Sequence, residues 1–188
     1  MSNEKRPLAH PPISRWKVAG AGLLAGALAG VVMTTVMLLL AWMFGVATPL
    51  AIFGDRLSVF IPADEFLALM GRLGGYNRMK QLGVGSVVLG QIVVGGLGGV
   101  AYGLVAPRMS RKTRRLLSLA GFILLPLVAV ALVLWPVLGT SYSGYPIRSA
   151  TAITLIGLLV SFLAFERTLV LSFAGLTKDV SPNNPANG

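Results

Sequence analysis

Few residues in this chain can do chemistry. Its 188 residues include one His, no Cys and only six Asp+Glu. His10 lies among Pro7, Pro11 and Pro12, which marks it as a solvated tail residue and leaves no span with a His ligand for haem or chlorophyll. The lack of Cys excludes disulfides, thiolate metal sites, iron–sulfur clusters and Cys-linked haem. No Ser-His-Asp set or metal-ligand cluster is present. The run Gly95-Gly96-Leu97-Gly98-Gly99 follows no strand, so it is not a phosphate loop. The expectation is therefore no catalytic, metal or cofactor-binding residue, and no enzyme. One ionisable pair, Glu166-Arg167, falls within a long apolar stretch. It lies about 17 residues beyond Ser149, or roughly 25 Å along a helix, so it is expected near one membrane face as an interfacial anchor. Adjacent helical residues do not face each other, so each should meet headgroups or a separate partner. For Glu166 that partner can be the Arg108–Arg115 cluster. Thr34, Thr35, Gln91, Thr151 and Thr154 are isolated polar groups. They can bond across helices or back to their own carbonyls, without forming a pathway.

The elements that must position these residues are membrane spans. With 55% hydrophobic and 12% charged residues, the chain is too apolar for an ordinary soluble domain. The apolar residues fall into four runs of membrane length, at about 18–44, 86–105, 116–138 and 149–173. The first is about 27 residues, or roughly 40 Å of helix against a hydrocarbon core of about 30 Å. It is far longer than a signal-peptide core and reads as a retained signal anchor. The expected fold is an all-α integral membrane four-helix bundle. It comprises a cytoplasmic tail at 1–16, a single membrane domain at 17–173 and a cytoplasmic tail at 174–188.

Charge orients the bundle. Four spans place both termini on one side. That side takes ten of the sixteen basic residues: Lys5, Arg6, Arg15, Lys17, Arg108, Arg111, Lys112, Arg114, Arg115 and Lys178. The positive-inside rule assigns it to the cytoplasm. The net charge of +10 thus reads as orientation and lipid contact, not nucleic-acid binding. Arg108, Arg111, Lys112, Arg114 and Arg115 are the expected headgroup contacts.

The outer loop, 45–85, is too long for a turn and too apolar for a linker. Thr48-Pro49 can start a short helix with Leu50, Phe53, Leu57 and Phe60 on one side. A second helix is expected to start at Pro62, with Asp64 and Glu65 at its N-terminus, an apolar side of Phe66, Leu67, Leu69, Met70 and Leu73, and Gly74-Gly75 at its end. Together these are two short interfacial amphipathic helices. They read as a docking surface, a lid over a lipid or quinone entrance, or a cover for the outer end of the bundle, and the residues expected to dock are Leu50, Phe53, Leu57, Phe60, Phe66 and Met70.

Small residues recur at four-residue intervals. Gly22, Gly26 and Gly30 form one row in the first span, and Gly95, Gly99 and Gly103 form another in the second. Such rows let helix backbones approach closely, so the two spans are expected to pack on each other. The third span has no such row. It carries large apolar side chains all round, with Pro126 expected to bend it and Trp135, Tyr142 and Tyr145 near its outer end.

Thr48-Pro49-Leu50, Asp55-Arg56-Leu57, Phe60-Ile61-Pro62-Ala63-Asp64, Phe66 and Lys80-Gln81-x-Gly83, with the Gly-rich second span, resemble a known pattern. It is the membrane region preceding the catalytic domain in bacterial sulfite-oxidase-like molybdopterin oxidoreductases. The resemblance covers roughly residues 17–170 and is densest over 30–105. Here no catalytic domain follows the fourth span, and no Cys is available as a molybdenum ligand. The resemblance therefore implies a freestanding membrane module of a bacterial inner membrane. Its implied role is a non-catalytic accessory subunit of a quinone-linked electron-transfer complex, of the alternative complex III or photosynthetic kind. Membrane lipids and larger redox subunits are the implied partners, with room for a peripheral lipid or quinone. The alternatives are an anchor or assembly factor for a separate redox enzyme, or a small homo-oligomeric transporter.

Overall fold

The structure, a computed structural model, describes residues 15–45, 61–134 and 147–178. These residues form helices and connecting turns with no strand among them. Helix α1 runs Arg15–Phe44, α2 Ala63–Leu73 and α3 Tyr76–Val105. A 3-10 turn, Ala106–Arg108, leads to α4, Arg111–Leu119. A π-helical turn, Ala120–Leu124, then joins α4 to α5, Leu125–Leu134, and the last helix, α6, is Ile147–Lys178. Among the described residues, four stretches are long and apolar enough to cross a membrane: Arg15–Phe44, Tyr76–Arg108, Arg111–Leu132 and Thr151–Lys178. The chain is thus an all-α, multi-pass membrane protein, with α4 and α5 as two halves of one span. Leu50, Phe53, Leu57, Phe60, His10, Trp135, Tyr142 and Tyr145 lie outside the described residues.

Several helices outrun their apolar cores. The second span begins its helix at Tyr76, ten residues before Ser86, so Gly83 and Gly85 are interior to α3 and do not open it. Isolated glycines weaken a helix by about 1 kcal/mol each without ending it. The Arg78-Met79-Lys80-Gln81 stretch around them consists of good helix formers. Helix α2 ends as expected. Gly74 adopts φ 80° and Gly75 φ 103°, and the Gly75 N–H donates to the Met70 carbonyl at 2.8 Å, the long bond of a Schellman ending. Only part of the expected apolar side of α2 is turned inward. Phe66, Met70 and Leu73 are half-buried, whereas Leu67 and Leu69 are exposed.

The centre of the bundle is the seam between α1 and α3. Gly22, Ala25, Gly26, Ala29 and Gly30 of α1 are buried against Gly95, Gly96, Gly99 and Gly103 of α3. The approach is backbone to backbone. A Cβ on Gly95 would stand 2.8 Å from the Gly26 carbonyl oxygen, and one on Gly103 would stand 2.9 Å from that of Val18. On Gly22, Gly26 or Gly99 a Cβ would press still closer on the facing carbonyls of Gly99, Gly95 and Gly22. The α3 glycines also admit rings from other sides. Phe165 lies 3.1 Å from a Cβ on Gly95, Phe173 3.1 Å from one on Gly103, and Phe122 3.1 Å from one on Gly98. Helix α6 therefore lays a buried stripe of Leu158, Phe162, Phe165, Leu169 and Phe173 over the seam. The π turn adds Phe122 and Ile123. The span Arg111–Leu132 is the least covered of the four. Its π turn ends two residues before Pro126, where the wider turn accommodates a ring that has no N–H to donate.

This geometry separates seam glycines from spectators. Gly99→Ala should destabilise the protein by about 1–3 kcal/mol because backbone cannot yield to the added methyl. Gly90, with nothing within 4 Å of its would-be Cβ, should tolerate Ala with no loss or a gain of up to about 1 kcal/mol. Thermal unfolding of both variants in mild detergent measures the contrast, and equal effects would refute the seam.

Candidate functional site

Among the described residues, two polar clusters that join helices lie inside the bundle. The first belongs to the seam. Thr34 Oγ1 lies 2.8 Å from the Gly30 carbonyl and 2.8 Å from Gln91 Oε1, sharing its proton between them. Gln91 Nε2 in turn donates to Met37 Sδ at 3.6 Å. Thr35 bonds only back to its own helix, at the Val31 carbonyl. Thr34 therefore does both things available to an intramembrane hydroxyl, bonding back along α1 and across to α3. This cluster fixes the register of the two helices.

The second cluster is centred on Glu166. The exposure expected of an interfacial anchor is not what the fold gives, for the residue is 3% exposed. The reason is rotational. Glu166 falls on the inward stripe of α6, between Phe162 and Leu169, so burial of that stripe carries the carboxyl inward. Ser118 Oγ of α4 donates to Glu166 Oε1. The other oxygen, Oε2, is buried with no hydrogen-bond partner. Arg167, largely exposed, returns to within 3.6 Å of Oε2, close enough for attraction but too far for a hydrogen bond. The pairing proposed between Glu166 and the Arg108–Arg115 cluster takes an indirect form. Arg111, Arg114 and Arg115 line, together with Glu166, a cleft of about 430 Å³. The carboxyl's direct bond goes to Ser118.

Aromatic rings wall the cluster on its apolar side. Tyr102 meets Phe173 edge-on at 5.4 Å and Phe122 at 6.2 Å, and Phe122 meets Phe165 at 5.6 Å. Each helix but α2 and α5 contributes to this end of the bundle, with Tyr102 from α3, Ser118 from α4 and Phe165, Glu166 and Phe173 from α6. Val18 of α1 packs against the same core.

Of the residues singled out for function, the six glycines meet at the seam. Phe66 and Met70 are half-buried on α2. Arg108, Arg111, Lys112 and Arg115 are exposed, and Arg114 is half-buried. Ser118, Tyr102, Phe122, Phe165 and Phe173 were not anticipated. The three-and-four spacing of Phe162, Glu166, Leu169 and Phe173 carried the signal for part of this set, since it places the carboxyl on the apolar stripe.

Chemically, the Glu166 cluster is a polar clamp. A carboxylate that accepts from one hydroxyl holds α4 to α6 where apolar contact alone is sparse. Among the described residues no group of three His, Asp or Glu stands ready for a metal ion. Ser118→Ala would leave both carboxylate oxygens without a hydrogen bond, so it should cost about 1–3 kcal/mol. A double-mutant cycle with Glu166→Leu should return a coupling of about 0.5–3 kcal/mol in thermal unfolding, and zero coupling would remove the clamp from the account.

No family model, curated protein or solved structure matches this chain.

Proposed function

We propose that this protein is a non-catalytic integral membrane accessory subunit. In this reading it packs against and stabilises a larger, quinone-linked electron-transfer assembly in a bacterial inner membrane, with both termini cytoplasmic. The observation that carries the reading is the uneven cover of the bundle. The seam and the Glu166 clamp direct the small and polar groups inward. The spans Tyr76–Arg108 and Arg111–Leu132 are left the least buried of the four. Their outer faces present Leu82, Leu89, Val93, Leu97, Leu116, Leu124 and Leu132, an apolar surface on which other membrane helices can pack. The electron-transfer part of the reading rests on the resemblance over residues 30–105. Glu166 is the one buried acidic or basic side chain among the described residues, which gives a transporter no charged pathway to use.

Purification of the protein from its native membrane in mild detergent, followed by mass spectrometry, should recover haem- or quinone-handling subunits in fixed ratio. Recovery as a lone homo-oligomer that moves a solute in liposomes would overturn the proposal. Orientation is tested separately, because a chain without Cys accepts single reporter thiols. A thiol at Lys112→Cys should be shielded from a membrane-impermeant maleimide in intact cells, and one at Arg72→Cys should be labelled. The reverse pattern would invert the bundle.

A further inference from the structure

A second cleft opens at the Arg-rich end, between α1, α3 and α6. It encloses about 520 Å³, within the range of small-ligand sites, about 300–1,000 Å³. Its floor is apolar, formed by Val18, Ala21, Leu104 and Phe173, and its rim carries Arg15, Lys17, Arg108 and Arg114. The cleft that contains Glu166 offsets its arginines with a carboxyl. This one has no acidic side chain in its lining. We infer that it binds an anionic phospholipid, with the headgroup phosphate among Arg15, Arg108 and Arg114 and an acyl chain running over Val18 and Leu104.

Two features favour a lipid with negative charge. Four cations around an apolar floor match a molecule that is anionic at one end and hydrocarbon at the other, and basic pockets between spans recognise such headgroups. Arg108 uses one nitrogen on the Leu104 carbonyl at 3.3 Å, which leaves most of a five-donor guanidinium for phosphate. Arg114 lines both clefts and lies one turn before Ser118. The site needs only that the bundle sits in a bilayer, and is independent of which side faces the cytoplasm or which subunits surround it.

Native mass spectrometry of the full chain in mild detergent tests the inference, with phosphatidylglycerol and phosphatidylcholine of identical chains offered in equal amounts. Phosphatidylglycerol should be retained in clear preference. Each arginine contributes about fivefold to binding near an anionic headgroup, so Arg108→Gln/Arg114→Gln should weaken retention about 25-fold. Leu104→Trp keeps every charge and fills the floor, and should also reduce retention, which covers the case in which the double variant does not fold. Arg72→Gln/Arg78→Gln, on the opposite end, should change nothing. Equal retention of the two lipids by the unaltered protein would overturn the site, as would an unchanged preference in both cleft variants. Glycerol phosphate competing as well as whole lipid would make it a phosphate site and overturn the lipid assignment.

Discussion

Everything in this bundle depends on how closely α1 and α3 approach. In a bilayer the hydrophobic effect does little to hold helices together, because lipid tails are as apolar as leucine. Association has to come from van der Waals contact and interhelical hydrogen bonds. Removing the Cβ atoms along both rows brings carbonyl oxygens of one helix against the α-carbons of the other. That contact leaves almost no side-chain entropy to lose. It also creates shallow channels on α3, into which Phe165 and Phe173 of α6 and Phe122 of the π turn settle. The seam is thus both the first contact and the mould for the others.

Polar groups then specify what the close packing leaves degenerate. Two smooth glycine rows could slide by a turn with little change in contact. Thr34 and Gln91 meet in only one register, and Ser118 meets Glu166 in only one rotation of α4 against α6. Each pair is small in energy, since intramembrane hydrogen bonds are worth about 0.6–2 kcal/mol. Their value lies in discrimination, because the alternatives strand a buried polar group.

The sequence made the spans and the glycine seam legible because both are local patterns. Apolar runs and a four-residue repeat can be read without knowing the partner. Helix ends were less legible. Hydropathy reports where hydrocarbon lies, whereas α3 continues ten residues beyond it through Arg78 and Lys80, which favour helix as strongly as leucine does. The burial of Glu166 was missed for a different reason. Its depth was counted along α6 as if distance from the end decided exposure, when rotation onto the Phe162–Leu169 stripe decided it. Its partner Ser118 was hidden altogether, since a lone serine inside an apolar run gives no sign of which neighbour it will face.

The π turn at Ala120–Leu124 has a consequence for the tolerance of this span to change in length. Its inward residues Leu119, Ile123 and Leu127 recur every fourth position, whereas a regular α-helix repeats every 3.6. An uninterrupted helix would carry those three progressively round toward lipid. The wide turn holds one extra residue and keeps the row aligned across the junction between α4 and α5. The span is therefore an α-helix with a single inserted residue, and one deletion within Ala120–Leu124 closes it to regular geometry with both flanks still facing inward. A deletion on either side of that turn instead rotates Ser118 or Leu127 by about 100°. One short stretch is where this helix can lose a residue without turning its flanks toward lipid.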